Sequence, residues 1–173
     1  MDSLACYEKA TRLRRLAGSP SGLLPLARDI GIEVHFEDSY RNLLGMYCVV
    51  LRNRFIFLSS RLDEFWLPMV LAHEIGHDQL HRELAGTGLC EFELFNMRSG
   101  TEYEANAFAA HLLLDSDEIY EALREGEDLP ALAQRQNVNI NLLLIKLNEM
   151  RALGYQMNLT ATADSHFFKK IHV

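Results

Sequence analysis

His73, Glu74 and His77 stand as H-E-x-x-H inside Leu71-Ala72-His73-Glu74-Ile75-Gly76-His77. On a helix, residues four apart share a face, so the two imidazoles can aim at one point with the spacing a tetrahedral zinc ion asks of its ligands. Glu74, one step round the same turn, can reach a water on that ion rather than the ion itself, the position of a general base in metal-assisted hydrolysis. The plain alternative is a chance match in a chain with seven histidines. A hydrolytic centre needs more than this pair. It needs a third ligand and one open position, where a bound water's pKa falls to about 7. It also needs a donor to the developing oxyanion, typically worth roughly 3 kcal/mol.

Candidates for those further roles lie downstream. Thr101 to Leu114 reads as a helix with Ala105, Phe108, Ala109 and Leu112 on one apolar stripe. Glu104 borders that stripe, and a carboxylate beside a buried face needs a partner that a metal two helices away would supply. Glu102 reads as a solvated charge on the opposite side. His81, one turn beyond His77, reads first as a histidine supporting a ligand from behind or ending the helix, and second as a third ligand. Tyr103, His111 and His81 are the candidate oxyanion donors, and Asp78 either orients a ligand imidazole or is a solvated helix charge. His35 reads as the outward position of a strand, and His166 and His172 as exposed residues of the tail.

The elements that must position these residues follow from periodicity. Tyr7 to Leu16 reads as a basic helix and Ser21 to Asp29 as a second, ended by Gly31. Ile32 to Phe36 alternates as a strand, and Gly45 to Leu51 and Phe55 to Leu58 flank Arg52-Asn53-Arg54 as a hairpin. Pro68 sits where an early turn tolerates it in the long helix from Asp63 to His81. A loop around Gly86-Thr87-Gly88 separates that helix from the next. Three short helices then follow: Asp115 to Arg124 with Ser116 as cap, Asp128 to about Gln136, and Leu142 to Leu153 capped by Asn139 or Asn141. The tight Asn137-Val138-Asn139 turn between the last two gives a helix-turn-helix-like pair, in geometry rather than as a sign of DNA binding. Arg135, Lys146 and Arg151 are its few basic residues, which favours a structural or protein-docking role. The hairpin is the segment placed to pair with an extended peptide beside the motif helix.

Composition excludes several classes. The 173 residues suit one domain, or one with a small helical appendage, and suffice for a real core. A net charge of −7 leaves no basic footprint for nucleic acid. Cys6, Cys48 and Cys90 are odd in number and form no C-x-x-C pair, which argues against a disulfide framework and a thiolate zinc site. No apolar run approaches a bilayer span and Met1 to Arg15 has no secretory apolar core, so a cytoplasmic protein without membrane contact is expected.

Read in series, the His73 block and Glu104-Ala105-Asn106-Ala107-Phe108-Ala109-Ala110-His111-Leu112-Leu113-Leu114 resemble the two signature blocks of the ImmA/IrrE family of metallo-endopeptidases. The resemblance runs from about the second helix to Gly154, with the same order of elements. It implies an α+β fold: a mostly helical zincin-like domain over residues 1–114 with a small antiparallel sheet, and a C-terminal helical extension over 115–173 that packs on it and ends in a polar tail. It also implies a zinc-dependent peptidase with His73, His77 and Glu104 as ligands and Glu74 as base. The implied substrate is a helix-turn-helix repressor, cleaved or inactivated to release mobile-element or stress-response genes. Asp115 stands where members commonly have Pro, and His111 where an acidic or polar residue is frequent, departures that bear on substrate choice. The competing readings are a non-catalytic zinc-fold protein that sequesters its repressor and, less well matched to an acidic chain, a direct DNA-binding factor. An intact Glu74 favours the enzyme, since sequestration needs no base.

Overall fold

The computed structural model describes residues 2–157, apart from residues 88, 92–94 and 96–98. The tail positions His166 and His172 lie outside the described residues. Helix α1 (Ser3–Ala17) begins on Asp2, whose side chain accepts from the Leu4 N–H, and ends at Gly18 with φ +70°. It starts a turn before the predicted Tyr7 because that cap is available, and it buries Cys6, Ala10 and Leu13. A 3-10 turn at Pro20–Gly22 leads into α2 (Leu23–Asp29), which buries Leu23, Leu26 and Ala27.

Strands β1 (Ile32–Glu37), β2 (Gly45–Val50) and β3 (Asn53–Ser59) follow, and β4 (Leu89–Glu91) joins later in the order β1-β3-β2-β4. β2 and β3 form the predicted antiparallel hairpin. The sheet as a whole is mixed rather than antiparallel, because β3 inserts between β1 and β2 and runs parallel to β1. The hairpin turn is Leu51-Arg52, with φ of 50° and 70°. Two consecutive positive φ values make a primed turn, whose twist matches that of the paired strands. Asn53 and Arg54 therefore belong to β3 rather than to the turn. Because β2 is paired with β3 on one side and with β4 along Gly45–Tyr47 on the other, the first half of β2 is interior to the sheet. The outer strands of the described sheet are β1 and β4, so the expected peptide-pairing edge is not the β2–β3 hairpin, and β4 lies on the flank of β2.

Helix α3 (Trp66–Leu80) crosses the molecule and is buried from Met69 to Asp78. Its entry is fixed by Asp63, whose carboxylate accepts from the N–H groups of Phe65 and Trp66. Helix α4 (Gly100–Leu113) is capped by Ser99 and buries Ala105 through Leu112. Helix α5 (Ser116–Arg124) is capped by Asp115, one residue before the predicted Ser116, because the Asp115 carboxylate accepts from the N–H groups of Asp117 and Glu118. Asp128 caps α6 (Leu129–Arg135), and Asn139, of the two candidates, caps α7 (Ile140–Ala152). Leu142, Leu143, Ile145 and Leu147 of α7 join the same hydrophobic core as Leu71 and Ile75 of α3 and Phe108 of α4. The result is a mostly helical α+β fold. Among the described residues no helix is long and apolar enough to cross a membrane.

Candidate metal centre

Two helices must approach closely before their side chains can share an ion, and α3 and α4 do so at Gly76. A Cβ there would stand 3.0 Å from the Ala105 carbonyl oxygen, 3.1 Å from the Ala105 Cα and 3.3 Å from the Phe108 Cβ. The glycine within the motif thus lets the α4 backbone lie against the turn that carries both histidines. Gly45 does the same for β2: a Cβ would come within 2.5 Å of Glu74 Oε1 and 2.9 Å of Val70 Cγ1. The Glu74 carboxylate therefore lies against the first residue of the strand that β4 flanks.

At the α3/α4 contact three side chains converge. His73 Nε2 and His77 Nε2 are 3.0 Å apart. Glu102 brings Oε2 to 3.2 Å from His73 Nε2 and Oε1 to 3.6 Å from His77 Nε2. One donor atom from each of these residues lies within 4.8 Å of the other two. Ligand nitrogens on a tetrahedral zinc, each at about 2.0–2.1 Å, are roughly 3.3 Å apart, so the observed separations suit such an ion. Two imidazoles and one carboxylate are also a donor set that zinc takes when it keeps a position open for chemistry. Both histidines are buried, while Glu102 is partly exposed. Burial pushes the His77 pKa down to about 4, with the Glu102 hydrogen bond opposing it, so the ring is neutral at pH 7 and can offer a lone pair.

Glu104 does not join this group. Its Oε2 lies 2.9 Å from His81 Nε2. Residues two apart on a helix point about 200° apart round the axis, so one of the two glutamates faces the histidines and the other turns away. Position 102 shares its face with Asn106, four residues on, and Asn106 Oδ1 is 3.0 Å from His73 Nδ1. Burial works to raise the Glu104 pKa, but the hydrogen bond from His81 leads the interactions that outweigh it and hold the carboxyl below its ordinary value.

A model of the IrrE N-terminal-like domain, a peptidase family, matches residues 27–148, from α2 through most of α7. The chain belongs to this family. Over 89 residues it is also 36% identical to a protein of Bacillus phage phi105 named "Uncharacterized immunity region protein 2", a stretch that covers 51% of this chain and 56% of that one. The chain thus spans little more than half the length of that relative.

Within the IrrE-like domain the remaining sequence candidates separate clearly. His81 stands behind the centre, with its Nδ1 3.0 Å from His77 Nδ1. Tyr103 turns away and donates to Glu149 Oε1 at 2.5 Å while accepting from Asn148 at 2.7 Å. His111 is held by Lys146 Nζ at 3.0 Å and lies 3.9 Å from Glu149. Tyr103 and His111 therefore belong to a buried polar cluster between α4 and α7, and neither is placed as an oxyanion donor. Asp78 orients no ligand imidazole; it takes hydrogen bonds from Tyr47, Arg54, Gln79 and Arg82 and so ties α3 to the sheet. His35 lies half-exposed on β1 and stacks on Phe57. Sequence reasoning missed Glu102 and Asn106. Their i, i+4 spacing one helix beyond the i, i+4 histidines is the signal that could have found them.

Proposed function

We propose that this chain is a zinc-dependent endopeptidase that cleaves a helix-turn-helix transcriptional repressor and so releases the genes the repressor silences. The observation that carries the reading is the convergence of His73 Nε2, His77 Nε2 and the Glu102 carboxylate, with Glu74 buried next to His73 on the same helix, within a domain of a peptidase family. His73, His77 and Glu102 would hold the metal. Bound there, zinc supplies Lewis acidity and brings a water's pKa to about 7.

The chain's own groups supply the base and a strand edge for the substrate. Glu74, kept against Gly45, takes a proton from the attacking water on its carboxylate and returns it to the departing amine, a role typically worth about 10²–10⁴-fold. An extended substrate would add as a strand along β4, whose partner β2 begins at Gly45. The peptide backbone would then run past the end of the sheet where Gly45 meets Glu74. The name of the phage relative, tied to an immunity region, and the resemblance to repressor-inactivating peptidases point to a repressor as substrate. Direct DNA binding by the α6–α7 pair has little to work with. Lys146 is fully buried, and Arg135 is engaged by Glu118 and Glu127.

The test is incubation of the purified, zinc-supplemented protein with a helix-turn-helix repressor taken from the same genome, a neighbouring gene being the first choice, followed by mass analysis. Two fragments summing to the repressor plus one water are expected. An intact repressor bound stoichiometrically, with derepression in cells, would replace hydrolysis with sequestration.

A further inference from the structure

We propose that Glu104 and His81 form a relay that fixes the tautomer of His77 and thereby acts as the positioning apparatus of the metal centre. The inference rests on the ligand set proposed above. It follows from proton bookkeeping along three contacts. An ionised carboxylate only accepts, so the 2.9 Å contact between Glu104 Oε2 and His81 Nε2 requires a proton on Nε2. When His81 carries only that one ring proton its Nδ1 is bare, and His81 Nδ1 faces His77 Nδ1 at 3.0 Å. The proton between those two nitrogens must then belong to His77 Nδ1. His77 Nε2 is left with its lone pair, directed to the point shared with His73 and Glu102.

Asn106 sets the other ligand in the same sense. Its Oδ1 accepts from His73 Nδ1–H at 3.0 Å, which leaves His73 Nε2 bare. The two ligands thus use different devices for one result: a side-chain amide behind His73, and an imidazole backed by a carboxylate behind His77. The second device also carries charge. His81 is buried, whereas the Glu104 side chain is 26% exposed, so the negative end of the relay keeps its hydration while its field reaches His77 through a buried ring. Partners of this kind orient a ligand imidazole and raise its basicity, and their loss typically costs about 10–100-fold in metal affinity.

The experiment measures zinc dissociation constants of the full chain by competition with a chromophoric chelator, together with the melting temperature of each metal-free variant. His81→Ala should weaken zinc by about 10–100-fold while one zinc still binds at saturation. His81→Gln should recover most of that loss, because its amide oxygen can accept from His77 Nδ1–H while its NH₂ donates to Glu104. Glu104→Ala should weaken zinc as well, and the double variant should lose less than the sum of the two single losses, since both act through His77. The Gln rescue separates tautomer control from mere packing and serves as the deciding measurement if His81→Ala folds poorly. The relay is overturned if His81→Ala binds zinc as tightly as wild type. It is equally overturned if His81→Gln is as weak as His81→Ala and X-ray absorption shows one fewer imidazole on the metal, for His81 is then itself a ligand. A wild-type chain that binds no zinc would strike the ligand set and the relay with it.

Discussion

If the proposed function holds, Glu74→Gln is expected to bind zinc and the repressor as wild type does and to lose bond cleavage by about 10²–10⁴-fold. The substitution preserves shape and leaves His73, His77 and Glu102 untouched, but an amide cannot accept the proton of the attacking water. Its neighbourhood makes the change a clean one, since Glu74 is fully buried and its Oε1 lies where a Cβ on Gly45 would intrude. Zinc content, repressor co-purification and fragment formation measure the three parts separately. In cells the variant should bind the repressor and leave it repressing. Full derepression by the Gln variant would assign the function to sequestration instead of hydrolysis.

Gly76→Val should damage the fold and the metal centre together. The added side chain meets backbone atoms of Ala105 at 3.0 and 3.1 Å, and backbone cannot swing aside as the end of a flexible side chain can. Overpacking of this kind typically costs about 1–3 kcal/mol, and in a protein of this size each kcal/mol lowers the melting temperature by roughly 2–4 °C. The consequence for the metal is disproportionate, because Glu102 reaches the two histidines from the helix that would be displaced. Thermal unfolding of the metal-free protein and a zinc titration give the two readouts. Gly76→Ala, with a smaller intrusion at the same place, should show the same pattern at lower amplitude. A valine variant with unchanged melting temperature and zinc affinity would show that the close approach of α3 and α4 is not what assembles the site.

The motif helix and the helix with the Ala105, Phe108, Ala109 and Leu112 stripe were legible because helical periodicity is a local signal, read within one turn. The identity of the acid beside the histidines was not. Glu102 and Glu104 flank the same stripe on opposite sides, and their side chains are 24% and 26% exposed, so burial does not tell them apart. What decides is how α4 lies across α3, and that is set by the contact at Gly76, a tertiary fact. The surroundings of Tyr103 and His111 are likewise not local in sequence: their partners Glu149 and Lys146 lie 46 and 35 residues further along the chain. Lys146 itself read as one of a few basic residues on a helix pair, whereas it is fully buried, and burial pushes its pKa down to about 7. The sheet was legible as strands and a hairpin but not in its order, since the insertion of β3 beside β1 depends on which faces need covering rather than on alternation within a strand.

The measurement that bears most directly on the centre is the metal content of Glu102→Ala beside Glu104→Ala, each purified and equilibrated with a small excess of zinc. With His73, His77 and Glu102 as the ligands, Glu102→Ala should retain little tightly bound zinc, while Glu104→Ala should still bind about one zinc per chain with weakened affinity. Full zinc in Glu102→Ala with loss in Glu104→Ala would contradict the site described for this protein.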